Sequence, residues 1–390
     1  MSLILFILAP FATFVYSCAN LRSRVNQIVF VLFFGLFGFC HTFDDIRTDS
    51  YRKYESFSHY DAKSVDEIAS DFDSGETRDV FEDVLYSCVK SFTDSPHIMM
   101  MIVGLFGGFF YMLVVKRFLE NRKMEYTWPI AILLAFMVID SQLPLMGGIR
   151  NFSAFALFMS SMLGLLLDNK RWWLIGLLVT PLIHFGYIIA VAATIVVWLV
   201  KIPNGILHYL ALVVCVASLF LDTSSYVGAV DMFIGSMDNE AIADRVENYS
   251  EEETEDEFNT SLTTRLIRVN NQLSALFFVA LLIYLRRNRD SLRQTNYELK
   301  LYNLLLFFTI ISFALISFSV VGQRFVYIAM VLLYLYLLNV YQHNRSSAIR
   351  IFIVLMPAIY ALHIAWVAYN CYSVTGTDIY YLPLPALFLQ

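Results

Sequence analysis

Apolar blocks alternate with short polar connections along most of the chain. A helix needs about 20 apolar residues to cross the hydrocarbon of a bilayer. The pattern therefore predicts an all-α, polytopic helical membrane protein with eleven or twelve transmembrane helices. The first block has neither a basic start nor a cleavage site and is interpreted as a span, not a signal peptide. The candidate spans are 2–19, 28–43, 97–115, 128–146, 149–167, 172–200, 206–221, 269–285, 301–320, 325–341 and 350–369.

The block at 172–200 is too long for one straight span. We expect it to break at Thr180-Pro181 and again around His184-Phe185-Gly186. It then forms either two spans or one span followed by a re-entrant half. Non-helical backbone at membrane depth is tolerated only inside protein or beside a wet cavity. A broken helix near 180–186 is therefore predicted to lie beside a functional site.

Composition supports the membrane assignment and removes other classes. Of 390 residues, 58% are hydrophobic and 15% are charged, whereas soluble domains contain about 25% charged residues. A soluble enzyme, a disordered chain and a disulfide-framed secreted module are excluded. The net charge of −6 gives no reason to expect a nucleic acid partner. The five cysteines show no metal-binding spacing, and neither a cofactor nor a bound metal is expected.

The distribution of charge predicts the orientation. Short connections of one set carry 16 Lys and Arg residues, which places them in the cytoplasm. Counting 172–200 as two spans, both termini then lie outside, together with two acidic loops at 44–96 and 222–267. These loops hold 26 of the 33 acidic residues. Residues 1–390 are interpreted as a single integral membrane domain, with an amphipathic outer-surface helix near 79–92.

Ionisable residues at membrane depth are costly and therefore informative. Arg150 opens a span after a very short outer connection that contains Pro144, Gly147 and Gly148, which suggests a built pocket. His184 lies in the broken block, where an imidazole can take up a proton near neutral pH. Both residues are candidate catalytic groups. Snorkelling of Arg150 to headgroups and a structural hydrogen bond of His184 are the alternatives.

Further arginines are predicted at the outer rim. Arg324 lies in what we interpret as a short outer connection, between spans that end near Val320 and start at Phe325. Two arginines at the same depth suit a diphosphate, because each guanidinium binds phosphate oxygens in pairs. Arg265 and Arg268, just before the next span, are candidate substrate-binding residues. Asp140 is another, although an internal hydrogen bond or ion pair is its more ordinary role.

The segment directly after the second span combines acids, arginine and tyrosines close to the membrane. Acidic side chains there can bind sugar hydroxyls, act as a base or pair with the arginines. Tyrosine rings can stack on sugars. The candidates in this segment are Asp45, Arg47, Asp49, Tyr51 and Tyr54.

Several stretches of the chain resemble the EpsG-type branch of the Wzy-like bacterial polysaccharide polymerases. The likeness covers roughly the first half of the chain, and the second half matches in layout. It is carried by the stretches Arg47-Thr48-Asp49-Ser50-Tyr51, Phe81-Glu82-Asp83-Val84-Leu85-Tyr86, Ile149-Arg150-Asn151, Leu167-Asp168-Asn169-Lys170-Arg171 and Ile183-His184-Phe185-Gly186.

The resemblance implies a GT-C-like polymerase architecture in the bacterial cytoplasmic (inner) membrane. It implies an enzyme that joins oligosaccharide repeat units, with donor and acceptor both carried on undecaprenyl diphosphate. The lipid bilayer is a partner, and a chain-length-regulating membrane protein is a candidate partner. In this interpretation Arg150 and Arg324 stabilise the leaving diphosphate without a metal, and His184 or Asp49 takes up or orients the hydroxyl proton. Tyr51 and Tyr54 stack on sugar rings.

Two other functions remain open from the sequence. One is a different membrane glycosyltransferase or ligase that uses a lipid-phosphate sugar donor, with Asp44 and Asp45 as a metal or base site. Dependence on Mn²⁺ or Mg²⁺ would favour it. The other is a flippase for lipid-linked oligosaccharides, although transporters place polar groups near the bilayer midplane and show internal repeats. Neither feature is visible in this sequence.

Overall fold

A computed structural model describes residues 2–44, 48–75, 77, 80–120, 127–200, 203–220, 262–288, 295–316 and 319–388. Helices are the regular elements of these described residues, which confirms the all-α membrane class. The acidic loop at 222–267 lies mostly outside them. The chain forms two compact units. Unit 1 comprises Met1–Lys201, Tyr334–His343 and Ala365–Gln390, and unit 2 comprises Ile202–Leu333 and Asn344–Ile364.

The helices are numbered here in chain order. They are α1 Ser2–Leu8, α2 Pro10–Ala19, α3 Arg24–Phe39, α4 Asp49–Ser58, α5 Val65–Ser74, α6 Phe81–Lys90, α7 Pro96–Glu120, α8 Trp128–Ile139, α9 Ile149–Leu166, α10 Trp173–Ile183, α11 Ile188–Leu199, α12 Asn204–Ala217, α13 Leu262–Arg287, α14 Asn296–Ala314, α15 Ser319–Asn344, α16 Ser347–Ile359, α17 Ala361–Thr375 and α18 Leu384–Leu387. Single 3₁₀ turns lie at Leu143–Leu145, Phe185–Tyr187 and Asp378–Tyr380.

Among the described residues, six helices are long and apolar enough to cross a membrane, or seven if the bent pair α16–α17 counts as one span. This number is lower than the eleven or twelve expected, because several apolar blocks form shorter helices. The block at 2–19 divides at Pro10, which begins α2, since proline fits the first turn of a helix but not its interior. Other predicted spans correspond to apolar helices of only 10 to 17 residues, among them α3, α10 and α12.

The long block at 172–200 breaks at the second of the two predicted positions, around His184, whereas the break predicted at Thr180-Pro181 is wrong because the helix continues through it. Helix α10 contains Pro181 and ends at Ile183, and His184 adopts an extended conformation with φ −152° and ψ 109°. The 3₁₀ turn and α11 follow. At 1.5 Å per residue, neither α10 nor α11 alone reaches across about 30 Å of hydrocarbon. The break therefore lies within the apolar block, as expected.

Unit 1 is built around the packing of α3, α7 and α9. Glycines allow the backbones to approach closely: a Cβ on Gly104 would lie 2.2 Å from the Phe34 carbonyl oxygen, and one on Gly38 would lie 2.1 Å from that of Met100. This confirms that Gly104 serves helix packing. Of the candidate membrane-spanning residues of α9, Ile149–Leu166, 89% are buried inside the protein. Arg150 thus begins the helix that unit 1 surrounds.

The segment 44–96, which the charge pattern predicts to be extracytoplasmic, contains more helix than the sequence pattern predicts. The amphipathic helix expected near 79–92 is α6, which buries Leu85, Tyr86 and Val89. Two further helices, α4 and α5, precede it. In unit 2, α12 packs against α13 and α14, and α13 packs against α16.

Candidate active site

Arg150 is the second residue of α9 and follows a compact, largely buried turn. Asp140 and Gln142 in this turn are 0% and 1% exposed, and Gln142 has a left-handed backbone with φ +61°. The connection is therefore a packed part of the protein. The Arg150 side chain is 37% exposed. It is fixed to the protein at its base and reaches partly into solvent.

The turn before Arg150 packs directly on the start of α4. A Cβ on Gly147 would lie 2.4 Å from Ser50 Oγ and 3.0 Å from Ser50 N, and one on Gly148 would lie 3.7 Å from Asp49 Oδ2. The exposed Asp49 forms an ion pair with Arg52 at 2.9 Å. The fold thus brings Asp49 to the turn that precedes Arg150, although about a hundred residues separate them.

Glu82 joins two cations from different helices. Its Oε1 atom lies 2.6 Å from Lys53 Nζ on α4 and 3.4 Å from Arg150 Nε on α9. One turn further along α6, Tyr86 is 3% exposed, and its hydroxyl has no hydrogen-bond partner among the described residues. Burial raises the pKa of this hydroxyl well above its usual value, with Glu82 adding to the rise and Arg150 opposing it. Tyr86 therefore remains a neutral hydrogen-bond donor.

Asn151 connects the Arg150 turn to the broken block. Its Nδ2 donates to Gln142 Oε1 at 3.0 Å, and its Oδ1 accepts from the Tyr187 hydroxyl at 3.4 Å. The Tyr187 ring centroid lies 6.0 Å from that of the half-buried His184. The backbone N–H of Val80, just before α6, donates to Leu182 O at 3.0 Å. The arginine-led helix, α6 and the histidine break therefore belong to one cluster in unit 1.

Aromatic side chains lie on the α4 side of this cluster. The exposed Tyr54 stacks on Phe43 with ring centroids 5.2 Å apart and an interplanar angle of 25°. The ring centroid of the half-buried Tyr51 lies 6.1 Å from that of Tyr54. The ring centroid of His97 lies 5.1 Å from that of Phe43. Partly exposed rings of this kind can stack on the apolar faces of sugars.

Two acidic residues have structural contacts. Asp140 is buried and accepts a short hydrogen bond from the Tyr334 hydroxyl, which confirms the internal hydrogen bond given as its more ordinary role. Asp168, in the short basic loop after α9, binds Arg117 Nε at 2.9 Å. Arg117 also donates to Ser160 O at 2.7 Å. This stretch of the family likeness thus fixes α7 to α9.

The expected position of Arg324 is wrong. It does not lie in a connection between spans, because α15 is continuous from Ser319 to Asn344 and Arg324 is its sixth residue. The helix starts earlier than predicted, and its first turns pack closely on the end of the preceding described segment: a Cβ on Gly322 would lie 2.3 Å from Leu315 O. Arg324 belongs to unit 2, whereas Arg150 belongs to unit 1.

Other predicted site residues have less structural context. Arg265 and Arg268 lie within α13 of unit 2, which begins at Leu262. The candidate membrane span in this helix is Arg268–Arg287, so Arg265 precedes the span and Arg268 is its first residue, close to the predicted arrangement. Arg268 is exposed, and the Arg265 side chain lies outside the described residues. Asp45 and Arg47 also lie outside them. In the part of the chain that the structure describes, no group of three or more His, Cys, Asp or Glu side chains could hold a metal ion.

Sequence reasoning did not select Lys53, Glu82, Tyr86 or Asn151 as site residues. A signal existed for Glu82, because it is an acidic residue in a helix with apolar spacing and belongs to one of the stretches that carry the family likeness. Lys53 gave no such signal, since a lysine in a polar loop is ordinarily solvated.

These features define a multi-pass helical membrane protein with a cationic, aromatic-flanked site in unit 1. The EpsG family matches residues 25–375, which is nearly the whole chain. The protein belongs to the EpsG family, a Wzy-like polysaccharide polymerase family. No curated protein and no solved structure matches the chain.

Proposed function

We propose that this polymerase joins oligosaccharide repeat units carried on undecaprenyl diphosphate, at the outer face of the bacterial cytoplasmic membrane. The growing chain is the donor. A hydroxyl at the non-reducing end of a new repeat unit attacks the anomeric carbon that joins the growing chain to its lipid diphosphate. A glycosidic bond forms while the bond from the anomeric carbon to the diphosphate oxygen breaks. The lipid diphosphate leaves with the electron pair, and the hydroxyl proton passes to a base.

The observation that carries the proposal is the convergence on Arg150 in unit 1. Residues from α4, α6, α9 and the histidine break contact one another around it. A fixed guanidinium stabilises the charge that develops on the departing diphosphate, and it needs no reorganisation during the step. Arg150 also lies at the N-terminus of α9, where the helix dipole favours an anion.

Two residues are suited to receive the hydroxyl proton. Asp49 is exposed beside the turn that precedes Arg150. His184 is half-buried at the helix break and connects to the same cluster through Tyr187. The proposal leaves the choice between them open. Tyr51 and Tyr54 then hold sugar rings near the base, in line with the exposed Tyr54 ring that stacks on Phe43 and the tilted Tyr51 ring beside it.

From the sequence, Arg324 is proposed as a further diphosphate-binding arginine. Arg268 and Arg265 share its unit and its positive charge, and are proposed to bind the same lipid-linked substrate. Arg47 and Asp45 are retained as substrate-binding proposals from the sequence. Both termini are proposed to be extracytoplasmic, which places α4 and α6 on the side of the membrane where the repeat units are joined.

The first test is complementation of a deletion strain. Arg150→Ala should abolish polymer while the protein remains in the membrane, and single repeat units should accumulate on the lipid carrier. Arg150→Lys should remain at least about tenfold weaker than wild type, because lysine offers no paired donors. Normal polymer from Arg150→Ala would remove the arginine from the mechanism.

Lipid analysis of the deletion strain separates the competing functions. Single repeat units facing outward indicate loss of a polymerase, whereas finished but untransferred polymer indicates loss of a ligase. Units trapped on the inner face indicate loss of a flippase. Loss of the wild-type reaction with chelator, restored by Mn²⁺ or Mg²⁺, would favour the metal-dependent transferase.

A further inference from the structure

We propose that Glu82 is a positioning residue for Arg150, and that Lys53 balances its charge so that the site keeps a net positive charge toward the diphosphate. This inference rests on the proposed function. It assigns to α6 and α4 a role in the reaction that is separate from substrate contact.

The geometry places one carboxylate between two cations. Glu82 Oε1 is buried, at 2.6 Å from Lys53 Nζ and 3.4 Å from Arg150 Nε. The side chains of Lys53 and Glu82 are each 19% exposed. Pairs with this little solvent are screened less than surface pairs, so the attraction is larger than for an exposed ion pair.

The helix that carries Glu82 is itself held in place. Helix α6 buries Leu85, Tyr86 and Val89 and packs against α7, α9 and α10. The backbone bond from Val80 N to Leu182 O fixes its first turn beside the end of α10. A carboxylate on such a helix keeps its position and can restrain a flexible side chain that contacts it.

A catalytic arginine side chain needs such a restraint. Its side chain has about 2 kcal/mol of rotamer entropy, and a catalytic group has to be held within about 0.5 Å of its working position. Glu82 contacts Arg150 as an ion pair, with Oε1 3.4 Å from Nε and no hydrogen bond between the two atoms. The contact limits the orientations of the guanidinium plane before substrate arrives.

The charges explain why Lys53 is part of the arrangement. Glu82 and Arg150 alone would form a neutral pair, which would attract a diphosphate poorly. Adding Lys53 gives two positive charges and one negative charge. The three residues together therefore carry a net charge of +1 and still contain the carboxylate that positions Arg150.

The experiment uses the full-length protein in nanodiscs and lipid-linked repeat units extracted from the deletion strain. Glu82→Gln preserves the shape of the side chain and removes its charge, whereas Glu82→Asp preserves the charge and shortens the side chain. We expect Glu82→Gln to lower kcat about tenfold, with KM changed by less than about threefold, because positioning acts on the transition state. Glu82→Asp should retain more activity than Glu82→Gln. A purely structural role in packing would give the opposite order.

Asp83→Asn is the matched control. Asp83 is the next residue of α6 and undergoes the same change of charge, but it binds the Tyr60 hydroxyl at 2.8 Å and Lys63 at 3.5 Å instead of Arg150. Its kcat and KM should equal those of wild type. A tenfold loss in Asp83→Asn would show that α6 responds to any loss of charge, and would overturn the specific role of Glu82.

The remaining outcomes separate this inference from the proposed function. Wild-type kcat in Glu82→Gln, with Arg150→Ala inactive, refutes positioning and leaves the arginine mechanism intact. A higher kcat in Glu82→Gln shows that the carboxylate only competes with the diphosphate, and also refutes it. If Glu82→Gln does not fold, Lys53→Met replaces it. We expect a several-fold loss of kcat/KM in that variant, and an unchanged value refutes the charge balance.

Discussion

Tyr86 shows how a residue outside the predicted site can be tested on its own. Its hydroxyl is buried near Glu82 and Arg150, and no described residue accepts its hydrogen bond. A buried polar group without a partner costs about 1–3 kcal/mol. Tyr86→Phe removes the group and keeps the ring, including its edge contacts with Phe57 and Tyr60.

We therefore expect Tyr86→Phe to unfold at the same temperature as wild type or a few degrees higher. A thermal unfolding measurement in detergent checks this expectation. A clear loss of thermal stability would mean that the hydroxyl has an unseen partner. Polymer synthesis measured on the same preparation then shows whether the hydroxyl also serves the substrate.

Individual residues of the segment 44–96 contain local signals for helix ends. Ser64 and Glu67 form a capping box at the start of α5, and Gly75 ends that helix with φ +81°. Thr48 accepts a bond from Tyr51 N at the start of α4. These local signatures predict helix ends from sequence alone. The ion pairs of Lys53 have no local signature.

At the level of helices, the docking of α4 on the turn before Arg150 depends on a glycine. A Cβ on Gly147 would overlap Ser50 Oγ and crowd Ser50 N. Overpacking of this kind costs about 1–3 kcal/mol. Ser50 Oγ can rotate away, but the contact with Ser50 N at 3.0 Å requires the start of α4 to shift by a few tenths of an ångström. That displacement changes the positions of Asp49 and Lys53 relative to Arg150.

Gly147→Ala should therefore lower polymer synthesis at least about fivefold, while the protein still inserts into the membrane. The measurement is polymer yield per amount of membrane protein in the deletion strain. Gly205→Ala is the control, because a Cβ at Gly205 meets nothing within 4 Å. It should match wild type. Equal activity of the two variants would contradict the proposed importance of α4 docking.

The broken helix shows what a pattern can and cannot predict at this scale. The stretch His184-Phe185-Gly186 predicted the break correctly, because helix termination is a local effect, whereas the break predicted at Thr180-Pro181 was wrong, since α10 continues through Pro181 to Ile183. The start of α15 was predicted wrongly. Gly322 suggested a connection, but glycine within an apolar helix also permits close packing, and the packing against Leu315 decides between the two.

At the level of the whole molecule, the proposed reaction assigns Arg150 and Arg324 the same role toward the leaving diphosphate. Arg150→Ala and Arg324→Ala should each lower the rate of polymer synthesis by about 10²-fold or more. A loss of this size is typical when one hydrogen-bond donor to a developing anion is removed. Residues that act as a unit are not additive. The double variant should therefore be about as slow as the slower single variant. Rates from purified protein test this, and multiplicative losses would indicate separate roles.

The orientation of the whole protein can be tested with its own cysteines. All five cysteines are described and free, and Cys88 on α6 is the exposed one. If α6 faces outward, a membrane-impermeant maleimide should label Cys88 in intact cells. Cys88→Ser should abolish that labelling. Labelling that appears only after the membrane is opened would place α6 in the cytoplasm and reverse the proposed topology.

The sequence by itself determined the class of the protein, the amphipathic α6 and the break at His184, because hydrophobic burial and helix termination depend on neighbouring residues. It also marked Arg150 as unusual, since a charge at membrane depth is costly wherever the chain folds. Only the tertiary structure joined Lys53, Glu82 and Arg150 and separated Arg324 into unit 2. Such pairs depend on how distant helices pack, and helix packing is set by the complementary shapes of many side chains, which no local pattern contains.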